Sequence, residues 1–142
     1  MAYSEAPVLI TVKAATTFTS TSLYRPAYWA TSGGVSVGDP GSTSVAAKPA
    51  GIAYSFTKTT STDAEAISLA VGGVVKVKCA ATTVTVNELI AYSSDGWGCT
   101  PTTNHWVLGR VLEGSSGGAG HVKTVLMFQT PLNYTARLAG TT

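Results

Sequence analysis

The chain has 142 residues, a length that suits one domain and can bury a core without covalent staples. Hydrophobic residues supply 44% and charged residues only 11%, less than half the usual quarter, which excludes a disordered chain and leaves a neutral, hydroxyl-rich surface. A formal charge of +2 from scattered Lys and Arg excludes a nucleic-acid footprint, and no run nears the roughly 18 apolar residues of a membrane helix, so neither nucleic acid nor membrane is expected as a partner.

The opening "MAYSEAPVLITV" has no basic start and too short an apolar run for a secretion signal, so the chain is expected to fold in a cytoplasm. Strand-type alternation then begins. In "PVLITVKA", Val8, Ile10 and Val12 are predicted to face one way, with Thr11 and Lys13 facing the other. "LYRPAYWA" gathers Tyr24, Tyr28 and Trp29, and "SGG" and "GDPGS" follow as turns. "AGIAYS" reads as a strand.

Next comes a conflict. Thr62 to Glu65 forms a capping box that would start a helix at "AEAISLAV". Ile67, Leu69 and Val71 nevertheless alternate with small residues, and Gly72-Gly73 would stop a helix after one or two turns, so a strand is predicted. In "GGVVKVKCA", Val75, Val77 and Cys79 share a face opposite Lys76 and Lys78, which read as solvated lysines. "TTVTVNE" sets Val84 and Val86 against Thr83 and Thr85 as another strand.

"ELIAYSS" alternates towards Ser93, where Asp95-Gly96 gives the two-residue hairpin signal and "WGCT" starts the returning strand. "LGRVLEG" is a strand, "SSGGAG" a loop tip, and "HVKTVLMFQ" a denser strand expected to be covered on both sides. The two segments "AGIAYS…AEAISLAV" and "LGRVLEG…HVKTVLMF" echo each other as Gly, strand, loop, strand. The fold class is therefore all-β, a small antiparallel β-barrel or β-sandwich with extended N- and C-terminal segments. One β-rich domain is expected over 1–142, with an arm at 1–6, a core at 7–130 and a tail at 131–142.

"SSDGWGCTPTTNHW" concentrates the reactive groups. A cysteine nucleophile needs a base in reach and a group to orient it, and Cys99, His105 and Asp95 supply the types. Their spacing matches no nucleophile signature, and every small or polar residue there has a turn role, so a hairpin turn through Asp95 and Gly96 is the reading and no enzyme is expected. His105 and His121 lie far apart, and the paired-cysteine spacing of a zinc site is absent. "VSVGDPGS" lacks EF-hand acidic positions, and "EGSSGGAGH" lacks the phosphate-loop Lys. No metal or cofactor is expected. Cys79 and Cys99 read as reduced, mostly buried side chains.

The pattern as a whole resembles the small capsid decoration (cement) proteins of tailed double-stranded-DNA bacteriophages. The resemblance covers about residues 50–128. It is carried by Gly51-Ile52-Ala53, Gly73-Val74-Val75, Asn87-Glu88, Ser94-Asp95-Gly96, Gly109-Arg110-Val111 and Gly117-Gly118. It implies a compact β-domain, often trimeric, made in the host cytoplasm and seated on the outside of the virion capsid. There such proteins clamp neighbouring copies of the major capsid protein, with no catalysis.

On that reading the contact elements are the arm, Ala2 to Val8, and the tail, Leu132 to Leu138. Tyr3 and Tyr134 are amphipathic anchors. Pro7, Leu132, Arg137 and Leu138 complete the candidate contact set, and an arm can add a strand to a sheet edge. Three copies of one patch would raise avidity without new contact types. The alternative is a receptor- or glycan-binding β-domain of a phage fibre, with Trp29, Trp97 and Trp106 as its platform.

Overall fold

A computed structural model describes residues 6–15, 18–30, 33–37, 49–56, 66–80, 85–92, 96–101, 106–114, 118 and 120–133. These residues contain no α-helix. They form nine strands and one 3-10 turn (Ser20–Ser22). The strands are β1 (Ala6–Lys13), β2 (Pro26–Trp29), β3 (Val35–Val37), β4 (Pro49–Phe56), β5 (Ala66–Cys79), β6 (Leu89–Tyr92), β7 (Gly98–Cys99), β8 (Trp106–Gly114) and β9 (His121–Asn133).

The helix-or-strand conflict resolves as strand. Beyond that, Gly72-Gly73 does not end a run: it sits inside one strand of 14 residues. Val8 pairs with Gly72 and Leu9 with Ala70, so Val71 is an extra residue facing β1. Gly73 has φ 81, and a Cβ there would stand 2.0 Å from the Ala6 carbonyl oxygen. Only glycine fits this bend. The bend lets β5 serve two parts of one nine-stranded sheet, with β4 beside its first half and β9 beside its second.

The second half of β5 closes a five-stranded barrel in the order β5–β9–β8–β6–β7–β5. All its pairings are antiparallel except β5–β7, which closes the ring through Cys79 and Gly98. Closure removes sheet edges. Inside lie Val75, Val77, Cys79, Ile90, Tyr92, Leu108, Val111, Val125 and Met127, with Tyr28 edge-on to Tyr92 at 5.7 Å. The alternation of β5 is as the sequence implies: Val75, Val77 and Cys79 are fully buried while Lys76 and Lys78 point outward.

The first half of β5 carries β1, β4, β2 and β3, and a parallel bridge from Ala14 to Val35 joins β3 back to the end of β1. Under these strands Phe18, Ala27, Val35, Ala53, Ile67 and Leu69 form a second core. Each fully buried large apolar side chain contributes about 1.5–3 kcal/mol. The internal echo has a structural counterpart. In both β4–β5 and β8–β9, a glycine lies against the partner strand's carbonyl: a Cβ would be 2.5 Å from Ala70 O at Gly51 and 2.2 Å from Leu126 O at Gly109.

Three expectations are corrected. The face predicted for Val8, Ile10 and Val12 is not uniformly covered: Val8 and Ile10 are exposed and Val12 is half-buried. Val86 ends no strand. Residues 85–88 form a turn in which Thr85 N donates to Glu88 Oε2 at 3.2 Å and Asn87 takes φ 72, a conformation that Asn tolerates. β9 is not covered on both sides: Val122 and Leu126 are exposed, while Lys123 is buried, its stem lying against Gly114.

Candidate functional site

The clearest exposed feature is β1. Along Ala6–Lys13 it pairs with β5, and no other described strand lies on its outer edge. Val8, Leu9 and Ile10 are 47%, 47% and 38% exposed, so apolar side chains stand free on both of its faces. A long apolar strand with a bare edge invites an added strand. Natural edges are usually blunted by charge, proline or bulges. Here Pro7 and Lys13 lie near the strand's two ends, and the bulged residue belongs to β5.

The apolar surface continues across the barrel. Ala6 pairs with Val74, Val74 with Leu126 and Leu126 with Arg110, which places the four in one row on the outer face. Leu126 is 43% exposed. This row carries the outer face from β1 across β5 and β9 to β8, with Leu126 as its exposed large apolar residue.

The residues predicted for contact divide between this surface and elsewhere. Pro7 lies in β1, half-buried, opposite Gly73. Leu132 lies in β9 with its backbone opposite Val107, so the strand continues through residues predicted as tail. Tyr3, Tyr134, Arg137 and Leu138 lie outside the described residues, as do Asp95, His105 and the capping-box residues Thr62 to Glu65. Val8 ends the predicted contact arm, whereas Leu9 and Ile10 lie beyond it and were not predicted as contact surface, because their alternation reads as that of an ordinary strand.

The segment around Cys99 is described in part. β6 and β7 form an antiparallel hairpin with Ala91 opposite Cys99 and Tyr92 opposite Gly98. That register leaves residues 93–97 between the strands, a longer connection than the predicted two-residue turn, with Gly96 at φ 75. Cys79 and Cys99 are both buried. Burial pushes the Cys79 thiol up to about 11, with Lys123 opposing in part, so thiolate chemistry is suppressed there. Among the described residues no three His, Cys, Asp or Glu lie together. A cleft of about 350 Å³ lined by Asn87, Glu88, Leu89, Thr100, Pro101 and Arg110 pairs one acid with one base, and Arg110 donates to the Asn87 carbonyl.

The three tryptophans do not share one setting. Trp29 is exposed on β2, Trp97 lies under the Arg25 guanidinium at 4.3 Å, and Trp106 packs against the barrel core.

No family model and no curated protein matches the chain. Among solved structures it is similar to the N base of the head fiber gp8.5 of bacteriophage phi29, with a TM-score of 0.53. The match covers 91% of this chain and 100% of that chain at 15% identity. At that identity the likeness is one of fold, and it extends across both the barrel and the added strands.

Proposed function

We propose that the chain is a structural protein of a phage virion that docks on the outer surface of the capsid and holds neighbouring shell subunits together. The observation that carries this reading is the bare apolar edge of β1. A strand that exposes Val8, Leu9 and Ile10, with no described strand on its outer edge, gains backbone hydrogen bonds and buried area when another chain lies beside it. The fold supports the same reading, since the similar structure is the base of a phage head fiber. The partner is the major capsid protein, and the arm before β1 and the tail after β9 extend the contact. A homotrimer would present three such edges, so modest patches sum to tight retention. The protein acts by contact alone, without catalysis or cofactor.

A second reading is favoured by the name of that neighbour: the domain is the base of a fibre, and β1 holds it on the head. Co-sedimentation with heads of its own phage tests the docking claim. Retention of the intact protein and loss with Leu9→Lys/Ile10→Lys support it; no association with heads refutes it. Cryo-electron microscopy of the same particles separates the readings. Density over the shell at many equivalent positions marks a cement protein, and density at the foot of projecting fibres marks a fibre base.

A further inference from the structure

The cleft beside β6 is built from fixed parts. Asn87 N donates to the Val111 carbonyl at 2.8 Å, and Val111 N to the Glu88 carbonyl at 2.9 Å, so the turn before β6 is clamped onto β8. Leu89 is the cross-strand partner of Arg110, which puts both side chains on the outer face of the barrel. Leu89 and Pro101 give the cleft of about 350 Å³ an apolar wall, and Asn87, Glu88 and Arg110 give it an amide, an acid and a base.

The two charges are open. Among the described residues Arg110 makes one hydrogen bond, from Nη1 to the Asn87 carbonyl, and no ion pair. The guanidinium edge formed by Nε and Nη2 is left for a ligand, and such an edge matches the two oxygens of a carboxylate. The Glu88 carboxylate is engaged by Thr85, whose amide donates to Oε2 at 3.2 Å. The Thr85 hydroxyl, and then that amide, hold the Glu88 carboxyl below its ordinary pKa, so it stays an ionised acceptor. A cation and an anion thus line one cleft without pairing with each other.

We propose that this cleft binds a hexuronic acid residue of an acidic glycan. The ligand carboxylate sits on the Nε–Nη2 edge of Arg110. Ring hydroxyls donate to Glu88 and exchange hydrogen bonds with the Asn87 side-chain amide, and the C–H face of the ring packs on Leu89 and Pro101. Three features select this class. One guanidinium takes one carboxylate, whereas Glu88 beside it repels a doubly charged phosphate. An ionised Glu88 calls for hydroxyl donors near the ligand carboxylate, and a uronic acid carries them on the same ring. A peptide finds no bare strand to extend here, because β6 lies between β7 and β8, and β8 between β6 and β9. The site uses none of the tryptophans and does not depend on docking through β1.

The test follows backbone amide shifts of the full chain during titration with the methyl glycoside of glucuronic acid. The methyl glycoside of glucose, which has the same ring without the carboxylate, inorganic phosphate and an acetylated acidic peptide are the comparisons. The glucuronide is expected to move the amides of Asn87, Glu88, Leu89 and Arg110 and to bind at least 10-fold more tightly than each comparison. Arg110→Lys, which keeps the charge but loses the fork, is expected to weaken glucuronide binding at least 10-fold. Glu88→Gln is expected to weaken the glucuronide and strengthen phosphate, and Lys13→Gln to change neither. Glucuronide that binds the unaltered protein no better than the glucoside, or not at all, overturns the proposal whatever the variants do. Tighter binding of phosphate overturns it in favour of a simple anion site, and tighter binding of the peptide in favour of a protein ligand.

Discussion

Gly109→Ala isolates the close approach of β8 and β9 that shapes the barrel. Gly109 is outside the left-handed region, so the substitution tests space alone. A Cβ would stand 2.2 Å from Leu126 O and 3.0 Å from both Leu126 C and Met127 Cα, all backbone atoms that cannot swing aside. Relieving the overlap moves the strands apart by about 1 Å, which takes an adjacent hydrogen bond from ~2.9 Å to beyond ~3.6 Å. That loses about 0.5–1.5 kcal/mol, and the forced backbone shift costs about 1–3 kcal/mol. Restricting the unfolded chain returns about 0.4–1 kcal/mol. The net loss is about 2 kcal/mol, or a fall in Tm of about 5–10 °C. Gly118→Ala is the control, because nothing lies within 4 Å of its Cβ, and it should change stability by less than about 0.5 kcal/mol. Urea and thermal unfolding followed by circular dichroism give both numbers. A Gly109→Ala variant as stable as Gly118→Ala would refute the packing argument for the β8–β9 pair.

Three further outcomes follow from the same structure. Tyr92 is fully buried and its hydroxyl has no hydrogen-bond partner among the described residues, so Tyr92→Phe should raise stability by about 1 kcal/mol in urea unfolding. Cys79 is raised from 9.0 to about 11 in the folded state, so its contribution is fully present below pH 9 and lost as pH rises through 11. Burial raises Tyr92 in the same sense. Stability should therefore fall by about 2–3 kcal/mol across that window through Cys79, and Cys79→Ala should remove this share in pH-dependent melts. Val8→Lys or Leu9→Lys, at exposed positions, should leave the melting point within about 2 °C yet cut retention on heads at least 10-fold in a sedimentation assay.

What alternation can show, the sequence showed. Val75, Val77 and Cys79 opposite Lys76 and Lys78, the strand "LGRVLEG" ending at Gly114, the strand starting at His121, and the hairpin joining β6 to β7 all follow from local period and turn chemistry. Alternation does not reveal how many neighbours a strand has. Val8, Ile10 and Val12 repeat like core residues, but β1 lies at an edge because the bend at Gly73 turns β5 away to pair with β9. The same long-range pairing explains Lys123. It faces inward because its register partner is Val77, and it fits because Gly114, from a different strand, supplies no side chain there. Ala14 and Val35 meet across 21 positions, and Tyr24 meets Lys78 across 54; neither contact has a local signature. The aromatic residues were legible as packing material, but their separate settings were not.

Hydrogen–deuterium exchange of β1, free and on heads, reaches the docking claim most directly. In the free protein, amides of Val8–Ile10 that point away from β5 should exchange rapidly, because nothing described pairs with that edge. On heads, the same amides should slow at least 10-fold as a strand of the shell adds beside them. Head-bound protein whose β1 amides exchange as fast as those of the free chain would contradict the account.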